Sequence, residues 1–114
     1  MHLDCTHTPD ILIIHARETR IDAAGAIDFK DRMRDLTSGD TRPVLLDLSQ
    51  VGFIDSSGLG AIVAVRKALG PDRRFDLAAL TPAVEKVFRL TRMDGVFTIH
   101  ADVPVAPADL RSAG

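Results

Sequence analysis

The sequence from Pro43 to Val65 reads PVLLDLSQVGFIDSSGLGAIVAV and contains the signals that decide the fold. Residues 43–49 form a short apolar run that begins with a proline, and this length predicts a buried central strand rather than a helix. Residues 56–69 have the apolar pattern of a helix. A strand, a short loop and a helix in this order are typical of a largely parallel sheet with helices packed against it.

The rest of the chain alternates in the same way between strand and helix patterns. Residues 2–7 and 11–16 flank a short turn and predict an antiparallel hairpin. Asp22 is the candidate N-cap of a first helix, which Ser38 and Gly39 end. Later elements are predicted as follows: a strand over 75–80, a helix that Thr81 caps and Gly95 stops, a strand over 96–101, and a short helix or frayed tail over 103–114. We therefore expect one α/β domain spanning residues 1–114, with a mixed sheet of four to five strands and three to four helices packed against it.

Composition excludes several classes of function. The 114 residues have a formal net charge of −2 and contain neither Trp nor Tyr, so a basic or aromatic nucleic-acid surface is not expected. Cys5 is the single cysteine and the four histidines match no compact metal motif, so we expect no disulfide, no metal and no cofactor. The sequence shows no signal peptide and no membrane span, which favours the cytoplasm.

The motif DSSGLG, from Asp55 to Gly60, has several interpretations. A serine nucleophile is disfavoured because the G-x-S-x-G pattern is absent, and a phosphate cradle lacks the lysine of a Walker motif. Asp55, Ser56 or Ser57 can cap the following helix while the glycines let it approach the sheet. Alternatively, one hydroxyl caps the helix and its neighbour is a phosphorylation target, which the helix dipole tolerates.

The predicted helix over 56–69 has two apolar strips. Leu59, Ile62 and Val65 are expected to face the sheet, whereas Ala61 and Ala64 belong to a second strip of small residues. That second strip is either an exposed interaction face or is covered by a neighbouring helix.

The segment PVLLDLSQVGFIDSSGLGAIVAV closely resembles the central part of the STAS-domain anti-sigma-factor antagonists of bacteria, and AALTPAVEKVFRLTRMDGVFTIH (78–100) is similar to the later part. The resemblance implies a non-enzymatic, partner-switching protein. It would bind an anti-sigma factor that is also a serine kinase, lose this partner when Ser56 is phosphorylated, and regain it through a phosphoserine phosphatase. The rest of the motif is expected to organise the loop and the helix start: Asp55, Ser57, Gly58, Leu59 and Gly60.

Asp22, Ala61 and Ala64 are candidate partner contacts. The chain departs from the family pattern before the first helix, where members have a Gly-acid-Leu-Asp sequence and this chain has RETRIDAAGA (17–26). This difference leaves two other STAS roles open: a stressosome-type scaffold and an accessory subunit of a lipid transporter.

Overall fold

The computed structural model describes residues 1–104. Most of the predicted tail over 103–114 therefore lies outside the described residues. The elements, in chain order, are β1 (Leu3–His7), β2 (Leu12–Ala16), β3 (Arg20–Ile21), α1 (Ala26–Thr37), β4 (Val44–Asp47), β5 (Phe53–Ile54), α2 (Ser56–Leu69), β6 (Phe75–Ala78), α3 (Pro82–Leu90), a 3-10 helix (Met93–Gly95) and β7 (Ile99–His100).

The main sheet has five strands in the order β1-β2-β4-β6-β7. β1 and β2 form the predicted antiparallel hairpin, and every other pairing in this sheet is parallel. The predicted mixed sheet with helices is thus confirmed. A second, two-stranded parallel sheet joins β3 to β5 and was not predicted, because two-residue strands are too short to produce a periodic pattern.

The core lies between the main sheet and the three helices. Leu12 and Ile14 of β2 belong to the same buried cluster as Phe29 of α1, Ile62 of α2 and Phe88 of α3. Side chains alternate along a strand, so the intervening residues point to the other face of the sheet, where a smaller cluster lies. That cluster consists of Ile13, Leu45 and Ala78.

Two predicted helix boundaries are wrong: the start of the first helix and the end of the third. α1 begins at Ala26 with Gly25 as its N-cap, whereas Asp22 accepts a hydrogen bond from the amide of Ala24 (3.2 Å) and so forms a turn ahead of the helix. α3 begins after Thr81 as predicted but ends at Leu90, before Gly95.

The end of α3 and the shortness of the last strand have local causes. The hydroxyl of Thr91 donates to the carbonyl of Val87 (2.7 Å), and Arg92 takes a left-handed conformation with φ of 61°, so the helix cannot continue. Phe97 is buried edge-on against Phe75 and Phe88, with ring centroids 5.9 and 6.0 Å apart. The predicted strand over 96–101 is observed only at Ile99–His100, although the carbonyl of Thr98 just before it still accepts a hydrogen bond from the amide of Leu77 (3.0 Å).

A buried polar link stabilises the carboxyl end of β4. The Oδ2 atom of Asp47 lies 2.7 Å from Nδ1 of His15, and its Oδ1 accepts a hydrogen bond from the amide of Ser49 (2.9 Å). Burial raises the pKa of the Asp47 carboxyl, but these hydrogen bonds outweigh it and hold the pKa below its usual range. The carboxylate therefore fixes the start of the loop that leads to α2.

Candidate functional site

The loop between β4 and α2 carries the DSSG motif at the carboxyl end of the main sheet. Val51 is buried, and its carbonyl accepts a hydrogen bond from the hydroxyl of Thr81 (2.7 Å). The amide of Gly52 donates to the carbonyl of Thr19 (2.8 Å). The loop is thus fastened to the start of α3 and to the segment before β3, which gives the motif a fixed position.

Asp55 is the N-cap of α2. One carboxylate oxygen accepts from the amide of Gly58 (2.8 Å) and the other from the amide of Ala23 (3.1 Å), so one side chain joins two chain segments. The hydrogen bond from Gly58 is the main reason that the pKa of Asp55 lies below its usual range. The interpretation in which a serine hydroxyl caps the helix is wrong, because Asp55 holds that position.

Asp55→Ala is expected to lower the melting temperature at neutral pH, because both amides lose their acceptor. A carboxyl whose pKa is depressed by folding stabilises the protein above its unfolded pKa and loses that effect as the pH falls through the folded value. The difference between Asp55→Ala and the natural protein should therefore shrink below about pH 4. Thermal melts between neutral and acidic pH measure this.

The melting temperature of Asp55→Asn should fall between those of Asp55→Ala and the natural protein. The amide oxygen of Asn can still accept a hydrogen bond from Gly58, whereas its NH₂ group cannot accept one from Ala23. Asp72→Ala, in the exposed loop after α2, is the control and should leave the melting curve unchanged. Equal melting temperatures for Asp55→Ala and the natural protein at neutral pH would contradict the capping role.

Ser56 and Ser57 are the first two residues of α2, and both are exposed. Within residues 1–104 neither hydroxyl takes part in a hydrogen bond of the fold. The backbone amides at a helix start and the helix dipole favour negative charge there. The site can therefore accept a phosphate without losing a side-chain hydrogen bond of the described fold.

Gly58 and Gly60 have different surroundings. A Cβ atom added to Gly58 would overlap the carbonyl oxygen of Ile21 and would lie 3.0 Å from Cγ1 of Ile54. A Cβ added to Gly60 would meet nothing within 4 Å. Gly58 thus lets α2 pack directly on the backbone of β3, as expected for a glycine that brings a helix close to a sheet, whereas Gly60 has open space around it.

The second apolar strip of α2 is partly covered by α1, so one predicted contact is wrong. Ala61 is only 3% exposed and belongs to the main core, which excludes it as a partner contact. Ala64 is half-buried and lines a groove between α1 and α2. Leu59 is half-buried against the core, in agreement with its predicted orientation.

Asp22 remains close to the motif, because Ala23, its neighbour, is bound by Asp55. Sequence reasoning missed two residues of this surface. Phe53 of β5 is 45% exposed, and the guanidinium of Arg20 lies 4.6 Å from the centre of its ring. Arg20 falls in the stretch where the chain departs from the family pattern, and that departure was the available signal.

The hydrolase interpretation of the serines finds no support in the geometry. His15 and His100 lie within hydrogen-bond distance of Asp47 and Asp76 respectively, and neither is linked to Ser56. Across residues 1–104, no three or more His, Cys, Asp or Glu side chains come together as a potential metal site.

Residues 2–106 match the model of the STAS domain family. The chain belongs to the STAS domain family. Within the described residues, no helix is long and apolar enough to cross a membrane. The match to the family model confirms, at the level of the domain, the family resemblance found in the DSSGLG segment.

Solved STAS structures share this fold. An anti-sigma-factor antagonist domain protein from Planctomyces limnophilus is similar with a TM-score of 0.79 and 23% identity, over 98% of each chain. An anti-sigma factor antagonist described as putative, from Thermotoga maritima, gives a TM-score of 0.75 and 24% identity over 97% of this chain and 92% of that one. The Bacillus cell fate determinant SpoIIAA in its phosphorylated form gives a TM-score of 0.65 and 18% identity, over 97% of this chain and 99% of that one.

Proposed function

We propose that this STAS domain is an anti-sigma factor antagonist that acts by binding and is switched by phosphorylation of Ser56. The observation that carries the proposal is that the helix cap and the exposed hydroxyl at the start of α2 belong to different residues. Asp55 caps the helix, which leaves the exposed Ser56 hydroxyl outside the hydrogen bonds of the described fold. A phosphate there changes the charge of the surface while the scaffold keeps its contacts.

The partner is an anti-sigma factor that is also a serine kinase, and a phosphoserine phosphatase reverses the modification, all in the cytoplasm. The similarity to solved antagonists, among them a phosphorylated one, supports this assignment. Phe53 and Arg20 lie beside the motif, and Ala64 lies about two turns further along α2; these three residues are proposed as contacts alongside Asp22. The protein itself catalyses no reaction in this scheme.

The test is a kinase assay with the purified domain, Mg-ATP and each anti-sigma factor kinase encoded in the same genome. Intact-mass and fragment mass spectrometry should find one phosphate, on Ser56. Ser56→Ala should remain unmodified, and the matched variant Ser57→Ala should still be modified. Phosphate on Ser57 alone, or no phosphate and no complex with any of these kinases, would overturn the proposal. In the second case, large assemblies in size-exclusion chromatography would indicate a scaffold.

A further inference from the structure

Two exposed side chains lie on the small sheet beside the DSSG motif. β3 pairs with β5 in parallel, and Arg20 lies opposite Phe53. The next pair, Ile21 and Ile54, is buried, so Arg20 and Phe53 share the outer face of this sheet. Because the two strands run in the same direction, the end of β3 lies at the end of β5 from which the motif continues.

The side chain of Arg20 points along β3 toward the motif. Its Nε lies 2.8 Å from Oδ2 of Asp22, which is two residues further along the chain. The next residue, Ala23, donates its amide to the carboxylate of Asp55 (3.1 Å). Asp22 and Ser56 are therefore the residues on either side of this one hydrogen bond, and the guanidinium of Arg20 is already bound to the first of them.

The ion pair between Arg20 and Asp22 is of a kind that exchanges easily. The side chain of Arg20 is 60% exposed, and an exposed ion pair contributes little because solvent screens it and both side chains lose freedom. Arg17, the other arginine of this segment, is paired instead with Asp4 of β1 (2.9 Å). Of these two cations, Arg20 is the one beside the motif.

A phosphoserine is a stronger partner for a guanidinium than a single carboxylate is. It carries a charge of about −1.5 to −2 at neutral pH and three acceptor oxygens, which suit the planar donors of arginine. We infer, on the basis of the phosphorylation of Ser56 proposed above, that Arg20 receives this phosphate: its guanidinium leaves Asp22 and pairs with the phosphate oxygens.

This exchange changes the proposed contact surface at more than one residue. Asp22 loses its cation when Arg20 turns to the phosphate, so the surface gains negative charge at Asp22 as well as at Ser56. A partner that contacts Arg20 and Asp22 in the unmodified protein then loses both contacts. The phosphate thus acts on neighbouring side chains, and the backbone keeps its position.

Phosphorus NMR of the domain with phosphoserine at position 56 tests this inference. The phosphoserine is installed during translation by suppression of an amber codon, so no kinase is needed. The acid dissociation constant for the second proton of the phosphate should be at least about threefold larger than in the same protein carrying Arg20→Ala, because a nearby cation favours the dianion. Arg20→Lys should give an intermediate constant, because lysine keeps the charge but lacks the planar donors.

Arg17→Ala is the matched control, because it removes the same charge three residues away, and it should leave this constant unchanged. In nitrogen–proton spectra, the Nε–H signal of Arg20 should move when phosphoserine replaces Ser56, and that of Arg17 should not. Equal constants with and without Arg20, or an equal decrease in Arg17→Ala, would overturn the pairing. Whether a kinase modifies Ser56 is decided separately by the kinase assay, so each proposal can fail without the other.

Discussion

Gly58→Ala should destabilise the domain more than any other single methyl group added to the DSSG motif. The new Cβ would overlap the carbonyl oxygen of Ile21 and lie 2.8 Å from its carbonyl carbon. Those atoms are backbone and are held by the pairing of β3 with β5, so they cannot rotate away as a side chain would. We expect a loss of about 3 kcal/mol or more in the free energy of unfolding, a large share of the total for a small domain.

Urea denaturation followed by circular dichroism measures this loss. Gly60→Ala is the matched control, two residues further along the same helix, with nothing within 4 Å of the added atom. It should stabilise the helix by up to about 1 kcal/mol, since alanine is the better helix former. A Gly58→Ala protein as stable as Gly60→Ala would contradict the direct packing of α2 on β3.

Ser56→Glu is expected to abolish partner binding while leaving the fold intact. A carboxylate at the first position of a helix is favourable in the free protein, so the melting temperature should not fall. In the complex, the same charge would be desolvated against the partner without a compensating group. A penalty of about 3 kcal/mol or more, at least about a hundredfold in the dissociation constant, is typical of an unpaired buried charge.

Titration calorimetry with the kinase identified in the phosphorylation assay gives this ratio directly. Ser56→Ala should bind as the natural protein does and should no longer be released by Mg-ATP. Ser57→Ala should bind, be phosphorylated and melt normally, because Asp55 and not Ser57 caps the helix. Retained affinity in Ser56→Glu, or an equal loss in Ser57→Ala, would refute Ser56 as the switch.

The strongest local patterns predicted α2 and the hairpin well. α2 begins at Ser56 and ends at Leu69 as expected, because an acidic cap before the helix and a glycine after it agree with the apolar pattern between them. β3 and β5 were missed because each has two residues, and their pairing depends on contacts distant in sequence. The cap was left ambiguous among Asp55 and the two serines, since adjacent polar residues can all serve and only backbone geometry decides.

The surface was harder to predict than the core. Ala61 was assigned to a partner face because a strip of small residues looks the same whether or not it is covered, and Ala61 is in fact buried in the main core. The basic residues at the end of α2 and in the turn after it seemed evenly mixed with acids along the sequence. The turn after α2 brings Arg73 and Arg74 back beside Arg66 and Lys67, and no linear pattern reports that juxtaposition.

The absence of a side chain at Gly58 also bears on what the proposed phosphorylation of Ser56 can do to the structure. Helix and strand touch backbone to backbone there, so no soft layer of side chains exists that could be compressed or rearranged. A modification at Ser56 then has no room to push the helix inward. We therefore expect a phosphate on Ser56 to change the chemistry of the surface and not the position of α2, so the backbones of the phosphorylated and unphosphorylated protein should be nearly superimposable.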